Sequence, residues 1–309
     1  MTVDATHVLH DGPWRHRFVS ANGARFHVAE LGDGPLVLLL HGFPQMWWAW
    51  RHQLTALADA GFRAAAMDLR GYGASDKPPR GYDTMTLAAD AAAVIRSLGA
   101  PSARVVGHDW GAWIAWSMPA LEPGVTDAIA ALGMPHPLRL RSTVARSAAQ
   151  LSALRGVLGY QRPVIPERRL ARDPRLVASL LRSGGDPAWP GTGPQGQQIV
   201  KRYAEAMAVP FVAHSAMEYF RWAVRSQVRA DGRRFAEGVR EPVDVPVLHL
   251  QGSRDAVVLA STAAGSERHV TGPYTYTELD CGHYLPEERP DDVSRLLVDW
   301  LRALPQPLQ

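Results

Sequence analysis

The sequence predicts an α/β fold in which a mostly parallel sheet of eight strands carries helices on both faces. Short continuous apolar runs, typical of strands buried on both sides, alternate along the 309 residues with longer segments of helical periodicity. The alternation stops after Leu132 and resumes at Pro246, and the chain between these points lacks strand-like runs. We therefore expect one sheet, interrupted by a helical insertion.

The eight strands are predicted from local signals. Asn22-Gly23 stands between two extended runs and is a strong turn signal, so the first two strands, 14–20 and 24–31, are expected to form a hairpin. Apolar runs predict the other strands, at 36–40, 62–67, 104–106, 128–132, 247–250 and 274–279. Helical patterns cover 50–60, 85–98, 111–118 and 291–301. Alternation of strand and helix predicts parallel pairing with right-handed crossovers.

The insertion suggests two structural parts. Residues 135–234 are rich in Arg and helix-like, with a stretch at 183–196 that is dense in Gly and Pro. We predict a core domain, formed by 1–134 and 235–309, and a helical cap formed by 135–234. The cap should cover the carboxyl ends of the strands, which is the edge where open α/β sheets bind ligands.

The composition argues against several classes of protein. The formal net charge is only +3, which does not favour a nucleic-acid partner. There is no run of 18 apolar residues, so no membrane span is predicted. The polar N-terminus does not resemble a signal peptide, and Cys281 is the only cysteine. We expect a cytoplasmic enzyme and leave a homodimer open. No cluster of metal ligands or nucleotide-binding loop stands out, so we expect neither a metal nor an organic cofactor.

A candidate nucleophile lies in the sequence Gly-His-Asp-Trp-Gly at 107–111, between a predicted strand and a predicted helix. The pattern is similar to the nucleophile elbow of the α/β-hydrolase fold, where two glycines allow a sharp turn that exposes the central side chain. Here the central residue is Asp109. The helix N-terminus favours its anionic form. A carboxylate attacks sp³ carbon to give an ester, whereas it is a poor nucleophile toward esters and amides.

Three further motifs complete a predicted catalytic site. His-Gly-Phe-Pro at 41–44 follows the third strand, and the backbone N–H groups of Phe43 and Trp110 are expected to form an oxyanion hole. Asp255 and His283 each follow a predicted strand, in the order nucleophile, acid, histidine. Asp255 would orient His283, and His283 would deprotonate the water that hydrolyses the ester on Asp109.

These motifs resemble the epoxide hydrolase branch of the α/β-hydrolase superfamily, and the resemblance covers nearly the whole chain. Its strongest parts are 41–44 with 50–53, 68–73, 107–111, 135–137, 282–283 and 288–290. The resemblance implies an enzyme that opens an epoxide to a vicinal diol through a covalent ester on Asp109. The aromatic residues around the elbow suggest a small apolar or aromatic substrate.

The resemblance also implies two cap tyrosines that bind the epoxide oxygen, and here the sequence departs from the pattern. In Tyr219-Phe220-Arg221-Trp222 the expected tyrosine position matches Phe220, and the other falls near Gly156. Candidates for substrate contacts in their place are Tyr219, Tyr160, Tyr203, Phe220, His136 and His214. At least one tryptophan of the group Trp47, Trp48 and Trp50 is expected to line the pocket.

Two alternatives stay open from the sequence. A haloalkane or haloacid dehalogenase would use the same ester on Asp109, and Trp110 could bind halide. The asparagine that many haloalkane dehalogenases carry after His-Gly is Phe43 here, and the arginine pair typical of haloacetate dehalogenases is replaced by tryptophans. The second alternative is a ligand-binding homologue with weak turnover, which the displaced cap tyrosines would favour.

Overall fold

Eight strands form one sheet in the computed structural model, which describes residues 4–305. In chain order they are β1 (Arg15–Ala21), β2 (Ala24–Leu31), β3 (Leu36–Leu40), β4 (Arg63–Met67), β5 (Ala103–His108), β6 (Thr126–Leu132), β7 (Val247–Gly252) and β8 (Tyr274–Leu279). Their order across the sheet is β1-β2-β4-β3-β5-β6-β7-β8. β2 pairs antiparallel with β1 and β4, and the other neighbours are parallel. The predicted mostly parallel sheet is confirmed.

Fourteen α-helices accompany the sheet in the described residues. They are α1 (Arg51–Asp59), α2 (Thr84–Ser97), α3 (Trp110–Leu121), α4 (Pro137–Val144), α5 (Ala148–Ala153), α6 (Gly156–Gly159), α7 (Ile165–Arg172), α8 (Pro174–Gly184), α9 (Pro194–Ala208), α10 (Val212–Arg225), α11 (Ala230–Gly238), α12 (Ala260–Ala263), α13 (Leu285–Glu288) and α14 (Pro290–Ala303). Short 3₁₀ helices cover Ala5–Val8, Trp47–Trp50, Ser226–Val228 and Ala264–His269.

The central strands are buried because helices cover both faces of the sheet. Every residue of β3, β5 and β7 is buried. α1 packs against α14, and α2 packs against α3, which also contacts β5 and β6. This double cover explains why continuous apolar runs, rather than alternating ones, predicted the strands correctly. The predicted ends of the core elements differ from the observed ones by at most three residues.

The first hairpin turns at the predicted dipeptide. Ala21 pairs with Ala24, and the two residues between them have positive φ, +44° at Asn22 and +73° at Gly23. Asn and Gly tolerate this left-handed conformation better than other residues. The turn therefore fixes the register of β1 on β2.

The stretch between β6 and β7 contains the eight helices α4–α11 and no strand, and all of it lies within the described residues. This agrees with the expected helical insertion, although α11 runs across the predicted boundary at 234. The division into a core and a cap stays a prediction. None of the helices within residues 4–305 has the length and apolar character that a membrane crossing requires.

Candidate active site

Asp109 stands on the turn between β5 and α3. Its φ of +50° is a left-handed value that residues other than glycine rarely adopt. The turn is tight: a Cβ at Gly107 would lie 2.1 Å from the carbonyl oxygen of Gly111, and one at Gly111 would lie 2.0 Å from that of Leu40. Glycine is therefore required at both positions, and the elbow presents the Asp109 side chain at the carboxyl edge of the sheet.

The two residues predicted to form an oxyanion hole lie beside Asp109. The backbone N–H of Phe43 donates to Oδ2 of Asp109 at 2.8 Å. Gly42 permits this approach, because a Cβ there would lie 2.5 Å from Cβ of Asp109. Trp110 is the first residue of α3, where backbone N–H groups have no partner inside the helix. Both N–H groups are thus available to an oxygen carried by the Asp109 carboxyl group.

The structure brings His283 between the two predicted carboxylates, although Asp109 and Asp255 are far apart in sequence. Nδ1 of His283 is 2.8 Å from Oδ2 of Asp255. Its Nε2 is 3.7 Å from Oδ1 of Asp109, which is an ion-pair distance rather than a hydrogen bond. The bond to Asp255 fixes the imidazole, so that Nε2 faces the elbow.

Asp255 is itself held by several donors. Its Oδ1 accepts hydrogen bonds from the backbone N–H groups of Val257 at 2.7 Å and Val258 at 2.9 Å. Oδ2 accepts from Nε2 of Gln251 at 3.0 Å, in addition to its contact with His283. Donors on both oxygens leave this carboxyl group little freedom to rotate.

The charges of the three groups are coupled. Burial lowers the pKa of His283, but the charges of Asp255 and Asp109 outweigh burial and raise it to about 10. Burial raises the pKa of Asp109, but His283 and the N–H of Phe43 outweigh it and hold that pKa below its ordinary value. At neutral pH the free site therefore contains a carboxylate at Asp109 and an imidazolium at His283.

An aromatic cover formed by Phe220 and Tyr160, both from the helical stretch between β6 and β7, lies over the elbow. The ring of Phe220 packs edge-on against Phe43, with centroids 5.1 Å apart, and against Trp110 at 5.2 Å. Tyr160 packs 4.9 Å from Phe220 and 6.0 Å from Phe43. Burial raises the pKa of Tyr160 to about 12, and its hydroxyl makes no hydrogen bond to any residue within 4–305. This hydroxyl is free to donate to a ligand.

The other candidate tyrosines are engaged elsewhere. Tyr219 packs 5.6 Å from Trp110, but its hydroxyl donates to the carbonyl oxygen of Arg70 at 2.7 Å. The hydroxyl of Tyr203 donates to Oε2 of Glu287 at 2.6 Å. Neither hydroxyl is available without breaking a buried hydrogen bond.

Three further candidates lie away from the elbow. His136 stacks on His269, with centroids 4.4 Å apart, at the start of α4. Trp47 is fully buried, and its indole N–H donates to the carbonyl oxygen of Val8 at 2.8 Å. His214 is half-exposed, 3.8 Å from Glu167. The structure therefore gives these three side chains packing or surface positions rather than contacts with Asp109.

Sequence reasoning missed three residues near the centre. Nε2 of His108 donates to the carbonyl oxygen of His283 at 2.7 Å, which ties the histidine loop to the elbow. Tyr72 is buried, its hydroxyl has no partner among the described residues, and burial and the charge of Asp109 raise its pKa. Tyr284 packs 5.3 Å from His283. All three lie in or next to the motifs at 68–73, 107–111 and 282–283, and this position was the only sign in the sequence that they are near the site.

Within residues 4–305 no group of three or more His, Cys, Asp or Glu side chains is arranged to hold a metal ion.

Comparison with known proteins agrees with the fold and the motifs. Residues 35–290 match the alpha/beta hydrolase fold family. The chain is 32% identical to epoxide hydrolase A of Mycobacterium tuberculosis over 93% of this chain and 97% of that one. It is 31% identical to the AB hydrolase superfamily protein YfhM of Bacillus subtilis, with the same coverage of 93% and 97%. Epoxide hydrolase A from Mycobacterium thermoresistibile is similar in structure, with a TM-score of 0.79 and 28% identity over 96% of this chain and 100% of that one. The chain belongs to the α/β-hydrolase superfamily, in the branch of the epoxide hydrolases.

Proposed function

We propose that the protein is an epoxide hydrolase that opens an epoxide to a vicinal diol through an ester on Asp109. The observation that carries the proposal is the ionised carboxylate on the elbow, with Nε2 of His283 3.7 Å away and Asp255 bound to the same imidazole. The relatives named above support the choice of an epoxide, since two of the three are epoxide hydrolases by name.

In the first half-reaction, an oxygen of Asp109 attacks a ring carbon, and the bond between that carbon and the epoxide oxygen breaks. The epoxide oxygen takes a proton from Tyr160 and becomes the first hydroxyl of the diol. The other oxygen of Asp109 becomes the ester carbonyl. Oδ2 already accepts from the N–H of Phe43, so this carbonyl can enter the hole formed with the N–H of Trp110.

We assign the acid role to Tyr160 because, of the cap candidates, it alone packs against Phe43 with a hydroxyl that is not bound to another described residue. Phe220 occupies the cover without a hydroxyl, and the Tyr219 hydroxyl is bound to a carbonyl oxygen 2.7 Å away. Tyr160 packs against both Phe43 and Phe220 and keeps a free hydroxyl. With a pKa near 12 it stays protonated at neutral pH and can act as a donor.

The second half-reaction follows from the loss of charge on Asp109. Ester formation removes one of the two carboxylates that raise the pKa of His283, so the imidazolium becomes more acidic and returns a proton to Tyr160. The neutral His283 then takes a proton from water, and the hydroxide attacks the ester carbonyl carbon. The bond between the acyl carbon and the ester oxygen breaks, and the proton of the added hydroxide passes to the leaving alkoxide. This releases the diol and regenerates the Asp109 carboxylate, with His283 again an imidazolium.

The remaining expectations belong to the same proposal. Residues 135–234 act as the cap that excludes water from the site, with 1–134 and 235–309 as the core. The aromatic cover suits a small apolar or aromatic epoxide. A cytoplasmic location and a homodimer stay predictions.

The test uses trapping of the ester. Intact-protein mass spectrometry of His283→Gln, after incubation with a panel of epoxides and organohalides, should detect a hydroxyalkyl adduct from an epoxide. The matched control is the double variant His283→Gln/Asp109→Asn, which should form none. A protein that binds the epoxides but gives no adduct from either panel would support the ligand-binding alternative instead.

A second candidate function rests on one observation. The indole N–H of Trp110 is buried and has no hydrogen-bond partner among the described residues, so it could bind a halide leaving group. In that reaction Asp109 would displace halide from an alkyl carbon. The same trapping experiment distinguishes the two, because a dehalogenase gives a plain alkyl adduct together with halide release.

A further inference from the structure

One stretch of the cap exposes an unusual number of large apolar side chains. Among residues 4–305, seven large apolar side chains are exposed, and four of them fall between 151 and 165. Their side chains are 50–63% exposed: Leu151, Leu158, Val164 and Ile165. Val164 has φ +70°, which β-branched residues rarely adopt, so an exposed apolar turn is held in a strained conformation. Contiguous exposed apolar surface marks interaction sites in soluble proteins.

The same stretch is strongly basic. Five exposed arginines lie between 146 and 169: Arg146, Arg155, Arg162, Arg168 and Arg169. None of them forms an ion pair with another described residue. The only acidic residue in this interval is Glu167, and it is bound to Arg221 at 2.6 Å. The positive charge of the five arginines is therefore not neutralised by the described residues. We call these arginines and the four exposed apolar residues together the arginine face.

The arginine face lies on the segment that covers the candidate active site. Tyr160, in the middle of this segment, packs its ring against Phe43. Gln150 is buried, and it contacts the carbonyl oxygen of Val257 at 2.9 Å and the N–H of Leu259 at 3.1 Å, close to Asp255. Tyr160 and Gln150 thus fix the segment over the site, and its most exposed large residues are apolar or basic.

We propose that the arginine face docks the protein on an anionic lipid surface. Unpaired arginines bind lipid phosphates, and exposed apolar side chains insert at the boundary between headgroups and acyl chains. A second copy of the chain is a poorer occupant, since a two-fold interface would bring two positively charged faces together. The proposal does not depend on the reaction at Asp109.

The test is co-sedimentation of the full-length protein with vesicles of phosphatidylcholine containing phosphatidylserine, and with vesicles of phosphatidylcholine alone. We expect binding to the anionic vesicles that weakens as salt is raised, and little binding to the neutral ones. Each arginine near an anionic surface strengthens partitioning about fivefold, so Arg168→Gln/Arg169→Gln should bind roughly 25-fold more weakly.

The matched control is Arg233→Gln/Arg234→Gln, an exposed adjacent pair on α11 outside the arginine face. It carries the same charge change and should retain binding to within about twofold. Leu158→Ser/Ile165→Ser should also weaken binding, with an unchanged thermal midpoint as evidence of folding. Absence of binding to anionic vesicles would overturn the proposal, as would equal losses in the two arginine pairs. A dimer that Leu158→Ser/Ile165→Ser dissociates would assign the face to self-association instead.

Discussion

Substitution of Tyr160 by Phe removes the hydroxyl to which ring opening is assigned and little else. The ring contacts with Phe43 and Phe220 are kept, and the hydroxyl has no partner within residues 4–305 to leave unsatisfied. We therefore expect the free energy of unfolding to change by less than about 0.5 kcal/mol. Loss of a positioned donor to a developing oxyanion costs about 3 kcal/mol, so the rate of ester formation should fall roughly 10²–10³-fold.

The assay is single-turnover formation of the Asp109 ester, which separates ring opening from hydrolysis. Tyr219→Phe is the matched control: it removes a hydroxyl from an aromatic residue of the same cover. It also leaves the carbonyl oxygen of Arg70 without its 2.7 Å donor, so it should destabilise the fold by about 1–3 kcal/mol while leaving ester formation unchanged. A Tyr160→Phe enzyme that forms the ester at the wild-type rate would refute the assignment. A slow Tyr219→Phe enzyme would transfer the role to Tyr219.

Three other outcomes are expected. Asp255→Asn should slow ester hydrolysis by about 10⁴-fold and let the ester accumulate in mass spectra, because the tautomer of His283 is no longer fixed; unchanged steady-state turnover would contradict this. The folded pKa of His283 is near 10, above its unfolded value of 6.5, so its contribution to stability is complete below pH 6.5 and is lost as pH rises through 10. Urea unfolding from pH 7 to 10 should therefore show a steeper loss of stability in the wild type than in His283→Gln, and parallel slopes would argue against the raised pKa. Gly111→Ala should lower the thermal midpoint strongly, since its Cβ would meet the carbonyl oxygen of Leu40 at 2.0 Å. Gly156→Ala should be neutral, because no other described atom lies within 4 Å of a Cβ added there. Similar midpoints for the two variants would show that the elbow can relax.

The core and the centre of the site could be predicted from sequence because their determinants are local. The bounds of β3 and β8 match the apolar runs at 36–40 and 274–279 without a shift. The glycines at 107 and 111 are demanded by backbone contacts within the turn itself. Asp255 and His283 each follow a strand of a parallel sheet, and the carboxyl ends of such strands share one edge. Position along the chain was therefore enough to bring both residues to Asp109.

The contacts of Tyr219 and Phe220 could not be predicted because they depend on how α10 packs. Tyr219 and Phe220 are neighbours in sequence but about 100° apart around a helix, so their side chains point in different directions. The packing turns the ring of Phe220 onto Phe43 and Trp110, and it directs the hydroxyl of Tyr219 to a carbonyl oxygen of the core. Sequence reasoning named both residues and had no means to choose between them.

The same limit applies to the residues that the sequence assigned to the pocket or overlooked. Trp47 follows the His-Gly-Phe-Pro motif closely, yet its indole packs against Trp14, with centroids 5.1 Å apart, on the side of the N-terminal segment. Tyr72 and His108 are buried next to the site, and His108 contacts the carbonyl oxygen of His283. Neither residue type nor spacing distinguishes a buried polar group that faces the nucleophile from one that faces the core. Tertiary packing makes that distinction.

In the proposed mechanism, the charges of the site set the order of the two half-reactions. While Asp109 is a carboxylate, it and Asp255 together keep His283 protonated, so the imidazole cannot yet act as a base. The proposed ester would neutralise Asp109 and so lower the pKa of His283 when a base is required. The rings of Phe220 and Tyr160 over Phe43 keep the neighbourhood poorly solvated, which makes the coupling between the two charges strong. In this proposal the aromatic cover acts on His283 as well as on the substrate. The Tyr160 hydroxyl can serve in every cycle, because the proton that His283 would release after ester formation restores it.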